Sequence, residues 1–267
     1  MVWLSKNLAA ENLGIYFAGG RSRGTFFKKS TAVKRVQSVK ARMNRMARLS
    51  RAAKATAPKV FNTCLHSALA SGAEVQGFDN QQIRDFQHMQ LTSLGLFGKG
   101  KSRSLSLALN EGRAWEPATA PIQVWAKVVW NSATKQPGER FTPSLRTLFD
   151  WWRRAQANPP SNWTTCKGPF GAMRLSMLRL GWASTGPFSF QDARGQGHAI
   201  LTLGPTLASA LAKRDWMDAL HGKASSSLGM QGKDIVDLYR ARKLPLGKKP
   251  LTSLERCTII SFLVQGS

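Results

Sequence analysis

Apolar side chains recur at helical spacing along much of the chain. From about Lys28 to Ala57, one narrow apolar stripe contains Val36, Val39, Met43, Met46 and Ala53. Lysine and arginine occupy much of the remaining surface of this segment. The spacing therefore predicts an amphipathic helix with a thin buried stripe and a wide basic face, which Pro58 ends or kinks.

Further helices are predicted from the same periodicity and from residues that favour helix starts. The apolar stretch from Val60 to Val75 indicates a second, more buried helix, and Gly77 breaks the pattern after it. Asp79 is placed as an N-cap, with Gln82 as its reciprocal partner, for a helix that continues to about Leu94. Later helices are predicted to begin at Pro117, at Thr142-Pro143, at Pro169 and at Pro205.

Each of these later helices has an apolar face that we expect to be buried. The members of the four faces are Ile122, Trp125 and Val129; Leu145, Leu148, Phe149 and Trp152; Phe170, Met173, Met177 and Leu180; and Leu207, Ala210, Leu211 and Met217. The paired tryptophans of "WWRRAQ", residues 151–156, are interpreted as core on the same ground, although they are also suited to stacking on bases. Residues 102–112 fit either a strand or a short helix.

Strand patterns are few. "NLGIYFAGG", residues 12–20, predicts one short strand, and residues 187–203 predict a small hairpin around a glycine-containing turn. The fold class is therefore mainly α. The segments expected along the chain are a short strand and basic loop in 1–27, a basic helical segment in 28–97, a helical connector in 98–160, a helix–hairpin–helix subdomain in 161–222, and a linker with C-terminal helices in 223–267.

Charge limits the classes of partner. The chain has 39 lysines and arginines against 14 acidic residues, a formal net charge of +25, and no acid lies between Glu11 and Glu74. Nucleic acid is the leading partner for such a chain, and an anionic membrane surface is second. No run of eighteen apolar residues and no secretory leader is present, so we expect an intracellular protein that does not span a membrane.

Catalytic and metal-binding patterns are weak. The three cysteines are far apart, and the four histidines form no ligand-like cluster with them, so we assign no metal and no cofactor. The sequence has no adjacent aspartates, no nucleophile elbow and no phosphate-binding loop. We therefore name no catalytic residue and no small-molecule substrate.

The order of three segments resembles a known family. "NLGIYFAGGRSRGTFFKKS", then "RVQSVKARMNRMARL", then the stretch through "SGAEVQGFDNQQIRDF" resembles the region after the palm in reverse transcriptases of non-LTR, LINE-like retrotransposons. Residues 167–203, with "LGW" and a hairpin, resemble a downstream block of the same proteins. Ser71 stands where an aromatic residue is common in the family.

The resemblance implies a thumb-like role for the basic helix. It places Leu13 and Gly14 in a strand near the primer terminus, and it turns a set of cations toward the nucleic acid: Arg35, Lys40, Arg42, Arg45, Arg48, Arg51 and Lys54. The palm motif F/Y-x-D-D is not found in the sequence. We therefore expect a retroelement-derived fragment that binds RNA or a template–primer duplex without polymerase activity, in the nucleus by family resemblance.

Two alternatives remain open from the sequence. The first is that the chain is part of a functional RNA-directed DNA polymerase whose palm lies upstream. The second is a basic structural protein associated with a ribosome or with chromatin.

Overall fold

The computed structural model describes residues 10–12, 15–17, 31–97, 103–110, 112–134 and 142–225. These residues are mainly helical and include two small antiparallel sheets, which confirms the predicted fold class. The helices are α1 (Thr31–Ala52), α2 (Thr56–Val60), a π-helical turn (Phe61–Leu65), α3 (His66–Ala70), α4 (Ala73–Gln76), α5 (Asn80–Ser93), α6 (Arg103–Leu109), α7 (Trp115–Thr134), α8 (Leu145–Ala157), α9 (Gly168–Arg179) and α10 (Ile200–Ser225).

The strands form one hairpin and one three-stranded sheet. β1 (Ala10–Asn12) pairs antiparallel with β2 (Ile15–Phe17), so the predicted single N-terminal strand is a hairpin in this part of the chain. β3 (Ala183–Ser184), β4 (Ser189–Gln191) and β5 (Gly197–Ala199) follow one another in an antiparallel sheet. β4 and β5 form the predicted hairpin. β3 is a third strand that was not predicted, because two residues are too short to show an alternating pattern in the sequence.

Helix boundaries near residues 50–77 differ from the predicted ones. α1 ends at Ala52, and Pro58 lies in the first turn of α2, where its missing N–H costs no hydrogen bond. The helical stretch predicted from Val60 begins four residues earlier and contains the π-helical turn. It ends at Ala70, and Gly72, with a left-handed φ of 84°, separates it from the short helix α4.

Contacts divide the chain into two compact units. The first consists of Met1–Arg35, Ala70–Gln81 and Trp115–Asp215, and the second of Val36–Leu69, Gln82–Ala114 and Trp216–Ser267. The turn-rich segment at 158–162 lies inside the first unit. Each unit contains residues from three separate stretches of sequence, so each core depends on contacts that are distant along the chain.

In the first unit, α7 packs against α4, α8 and α9. The predicted inner positions Ile122, Trp125 and Val129 are all buried on α7, as are Met173 and Met177 on α9. α7 begins at Trp115, so Pro117 lies within its first turn.

Two glycines of this unit adopt backbone conformations that other residues rarely adopt. Gly77, at the end of α4, has a φ of 63°, and a Cβ there would lie 2.5 Å from a ring carbon of Trp163. Gly204 has a φ of 73° and interrupts α10 directly before Pro205, which is why the predicted helix start at Pro205 coincides with a break. Both positions favour glycine because L-residues with side chains rarely adopt positive φ.

Aromatic stacking packs the three-stranded sheet within the first unit. Trp182, directly before β3, stacks on Phe190 of β4 with ring centroids 4.4 Å apart and planes at 9°. Both side chains are almost fully buried. Leu207, which was expected on the buried face of α10, is instead 56% exposed; its neighbour Ala208 is buried in its place.

In the second unit, α1 contributes Val39 and Met46 to the core, as the apolar stripe predicted. Phe61 of the π-helical turn and His66 of α3 contact the ring of Phe86 edge to face, with centroids 5.9 and 5.2 Å away. A further cluster joins α5, α6 and the end of α10, and its buried members are Leu91, Leu96, Leu105, Leu107, Ala108, Leu220 and Ala224. The ambiguous segment 102–112 is therefore helical, and α6 buries its leucines in this cluster.

Candidate nucleic-acid interface

The wide face of α1 is an exposed strip of arginines. Val39 and Met46 are buried, whereas Arg42, Arg45 and Arg48 are exposed. Because residues of an α-helix are separated by about 100° and a rise of 1.5 Å, each of these arginines lies about 60° further around the helix than the one before, from beside the buried stripe at Arg42 to the opposite side at Arg48, over roughly 9 Å. We call this strip the basic face of α1.

The arginines of this face have no acidic partners among the described residues. No described carboxylate forms an ion pair with Arg42, Arg45, Arg48 or Lys54. Their charges are therefore not neutralised by any acid in the described part of the chain. An anion can bind these guanidinium groups without first breaking an ion pair with a described carboxylate.

Three other predicted binding residues have contacts within the protein. Lys40 forms an ion pair with Asp85 of α5, with 2.6 Å between Nζ and Oδ2. Arg35 donates a hydrogen bond of 3.4 Å to the backbone carbonyl of Ser71. Arg51 remains exposed while its Nε donates to the carbonyl of Ala47, 3.3 Å away. The predicted set therefore divides into cations used in the fold and cations that face solvent. Leu13 and Gly14 lie outside the described residues.

The tryptophan pair on α8 is not the core pair that its helical spacing predicted. Trp152 is half-buried, and its indole N–H donates to the Ser184 hydroxyl at 3.2 Å. Trp151 is 43% exposed, and Phe149, also expected inside, is exposed to the same degree. Leu148 is the buried residue of this helix, so its apolar face is narrower than the spacing suggested.

A buried carboxylate in the first unit holds the turn between β4 and β5. Asp192 Oδ1 accepts hydrogen bonds from the backbone N–H groups of Arg194 and Gln196, both at 2.9 Å. Its Oδ2 accepts from Arg214 at 2.8 Å and lies 3.1 Å from Nε2 of His198. Burial alone would raise the pKa of Asp192, but these hydrogen bonds outweigh burial and hold the pKa well below its usual range.

The same arginine connects Asp192 to a second buried carboxylate. Arg214 Nε donates to Asp215 Oδ1 at 2.7 Å, and Trp182 Nε1 donates to Asp215 Oδ2 at 2.6 Å. The hydrogen bond with Asp215 is the main reason that the pKa of Arg214 is raised, and Asp192 adds to it. We call these residues the Asp192 network. Both carboxylates are buried and share one arginine, with further hydrogen bonds to each, which suits a structural connection between the sheet and α10.

Sequence reasoning missed this network. Asp192 and His198 flank the glycine-containing turn and were visible as part of the hairpin, but Arg214 and Asp215 lie far along α10, with Arg214 22 residues after Asp192. Only the return of α10 to the sheet brings these side chains together.

The described residues contain no group of three or more His, Cys, Asp or Glu side chains placed to hold a metal ion. Within the same residues, none of the helices combines the length and apolarity needed to cross a membrane. Cys64 is exposed and Cys166 is buried, and both are free thiols.

Comparison with protein-family models, with curated proteins and with solved structures finds no match for this chain.

Proposed function

We propose that this protein binds nucleic acid, as RNA or a template–primer duplex, through the basic face of α1. The observation that carries the proposal is the contrast on one helix: Lys40 is paired with Asp85, whereas Arg42, Arg45 and Arg48 are exposed and have no described acidic partner. Arginine side chains neutralise phosphates and release the counterions condensed on them, so three such side chains on one strip favour a polyanion.

The shape of the face supports a regular phosphate backbone as the ligand. The buried Val39 and Met46 fix α1 against its own unit, so the arginine strip lies on a rigid helix rather than on a loop. A fixed spacing of cations is suited to the repeating charges of a duplex, and it carries no sequence information. We therefore expect binding with little base preference and a strong dependence on salt.

We also propose that the chain derives from the post-palm region of a LINE-like reverse transcriptase. What supports this is the order of pieces, because the β1–β2 hairpin precedes the basic helix α1 and a second helix–hairpin block follows later. Translation of the genomic sequence upstream of Met1 tests this part separately. An in-frame F/Y-x-D-D motif would favour the alternative that the chain is part of a functional polymerase.

The binding proposal is tested with a triple charge reversal, Arg42→Glu, Arg45→Glu and Arg48→Glu. Fluorescence anisotropy with a labelled 20-base-pair RNA–DNA hybrid, measured between 50 and 300 mM salt, gives the affinity and its salt slope. Each lost phosphate contact lowers the slope of log K against log salt by about 0.9, so we expect a decrease of up to about 2.7 together with weaker binding.

A matched control distinguishes an effect of the basic face of α1 from a general effect of lower net charge. Lys127→Glu, Arg146→Glu and Arg153→Glu change the net charge by the same amount at exposed positions outside α1. We expect this control to retain most of the affinity and slope. Equal losses in both triple variants, or no loss in the α1 variant, would contradict the assignment of the interface to α1. Circular dichroism of both variants shows whether the helices are intact.

A further inference from the structure

An exposed tryptophan lies in line with an open groove of the first unit. Trp151, Arg154 and Ala155 share one side of α8, because the second and third follow the first by three and four residues, and Asn158 caps the end of this helix. The last three of them line a groove of about 630 Å³. This volume lies within the roughly 300 to 1,000 Å³ of pockets that hold ligands.

The opposite wall of the groove is formed by the start of α9 and the loop before it. Lys167, which precedes α9, and Gly171 in its first turn line the groove, and so do Pro159 and Thr165 of the loop. Arg154 and Lys167 are both exposed, and neither forms an ion pair with a described carboxylate. The groove therefore has a cation on each side.

The ring of Trp151 contacts an aromatic side chain of α9. It meets Phe170 of α9 edge to face, with centroids 6.3 Å apart and planes at 79°. Phe170 in turn packs against the buried Trp125 of α7, with centroids 4.5 Å apart. Trp151 is thus held by an aromatic contact while 43% of the residue stays exposed to solvent, and a stacking platform needs both properties.

The charge of this region is as one-sided as that of α1. From Trp151 to Gln191 the sequence contains no acidic residue. The nearest acid in the sequence, Asp150, lies 3.6 Å from Arg153 and four residues before Arg154 on α8. Arg174 and Arg179 are used within the fold, since they donate to Gln156 and to the carbonyl of Phe78. Arg154 and Lys167 are the cations that remain at the groove.

We propose that this groove, the Trp151 groove, binds single-stranded nucleic acid. One base stacks on the exposed face of Trp151, and the phosphates that follow it contact Arg154 and Lys167. A single-stranded ligand fits because a base must leave its own stack to lie on an aromatic side chain, which bases inside a duplex do not do. The proposal concerns other residues than those of the basic face of α1 and does not depend on that assignment.

The test uses the full chain and a fluorescein-labelled 12-nucleotide oligouridine, which forms no duplex, in anisotropy titrations at several salt concentrations. We expect Trp151→Ala to weaken oligouridine binding by about fivefold or more while the salt slope stays unchanged, because stacking involves no counterion release. Trp151→Phe retains an aromatic ring and should recover most of the affinity. Arg154→Ala and Lys167→Ala should each lower the slope by about 0.7.

Matched controls make the result specific to the groove. Arg153→Ala removes a neighbouring exposed arginine that does not line the groove, and Leu207→Ala removes an exposed apolar side chain elsewhere in the unit. Both should bind oligouridine like the wild type. The same series in the Arg42→Glu, Arg45→Glu, Arg48→Glu variant shows whether the groove still binds oligouridine when the charges of the basic face of α1 are reversed.

Three outcomes would overturn the proposal. These are an absence of oligouridine binding, an unchanged affinity in Trp151→Ala, and a loss in Arg153→Ala equal to that in Arg154→Ala. The last two would indicate that Trp151 is a contact for a protein or that only net charge matters. If Trp151→Ala fails to fold, Lys167→Ala and Arg154→Ala still decide the question, because both side chains are exposed.

Discussion

The carboxylate of Asp192, which directly follows β4, accepts a hydrogen bond of 2.8 Å from the guanidinium group of Arg214 on α10. The two residues are 22 positions apart in sequence, and the Asp192 side chain is fully buried. A buried carboxylate is stable only when its charge is compensated, so this pair determines how the sheet and the helix of the first unit are joined.

Replacement of Asp192 by Asn should destabilise the first unit by about 3 kcal/mol at pH 7, because Arg214 loses one of its two carboxylates. The pKa of Asp192 is held below its ordinary value, so its contribution is complete above about pH 5 and is lost as the pH falls toward the lowered pKa. Urea unfolding followed by tryptophan fluorescence should therefore show a difference between wild type and Asp192→Asn that shrinks at pH 3.

Asp150→Asn is the control for this experiment, because Asp150 forms a solvent-exposed pair with Arg153 at 3.6 Å. Surface pairs contribute about 0 to 1 kcal/mol, so its effect should be small at pH 7. If the two substitutions lowered the free energy of unfolding equally, burial of the Asp192 network would not determine how much it stabilises the first unit.

Replacement of Trp182 by Phe removes a hydrogen bond while it keeps an aromatic ring at this position. Phenylalanine can still stack on Phe190, but it cannot donate to Asp215 as the indole N–H does at 2.6 Å. Hydrogen bonds to charged groups contribute about 1.5 to 3 kcal/mol, and we expect a loss of this size in the free energy of unfolding. Trp152→Phe, which removes a bond to the neutral Ser184 hydroxyl, should cost about 1 kcal/mol and serves as the comparison.

Replacement of Gly77 by Ala should be strongly destabilising for two separate reasons. The positive φ of 63°, combined with a ψ of 170°, costs an L-residue about 1 to 3 kcal/mol, and the new Cβ would lie 2.5 Å from the Trp163 ring, which adds about 1 to 3 kcal/mol of overpacking. Gly168→Ala has nearly the same φ, 64°, with nothing within 4 Å of the new Cβ. Thermal unfolding should therefore show the larger decrease for Gly77→Ala, and equal decreases would argue against the close approach of Trp163.

Truncation of Met46 to Ala tests how α1 is attached to the second unit. Met46 is 5% exposed, and loss of a buried methionine side chain costs about 2 to 5 kcal/mol. Met43 is half-buried on the same helix, so Met43→Ala should cost clearly less. Urea unfolding monitored by circular dichroism gives both values. A larger effect at Met43 would mean that a different side of α1 faces the core.

The helices were largely predictable because their signals are local. The Val39 and Met46 stripe, the helix after Asp79 and the hairpin near 187–203 follow from side chains a few positions apart, whose spacing fixes which of them share a face. The exact ends were less predictable. Proline at position 58 is equally compatible with the end of one helix and the first turn of the next, and only packing decides between them.

Candidate binding residues were predictable as a group but not individually. The helical period shows that the cations of α1 surround its apolar stripe, yet it does not show that Lys40 meets Asp85, which is 45 residues away. In the same way, the spacing of α8 places Trp151 and Trp152 beside an apolar face without showing how wide a face the neighbouring helices cover. Trp151 stays 43% exposed even though Phe170 of α9 contacts its ring.

Local patterns in the sequence are enough to predict the mainly α fold class, the basic helix with its thin apolar stripe, and the excess of positive charge. Contacts in the folded chain are needed to show which arginines have no described acidic partner, which tryptophan faces solvent, and how Asp192, Arg214 and Asp215 are assembled. The difference arises because periodicity and capping act between residues within a turn or two of each other. Charge neutralisation and burial depend instead on side chains that only the folded chain brings together.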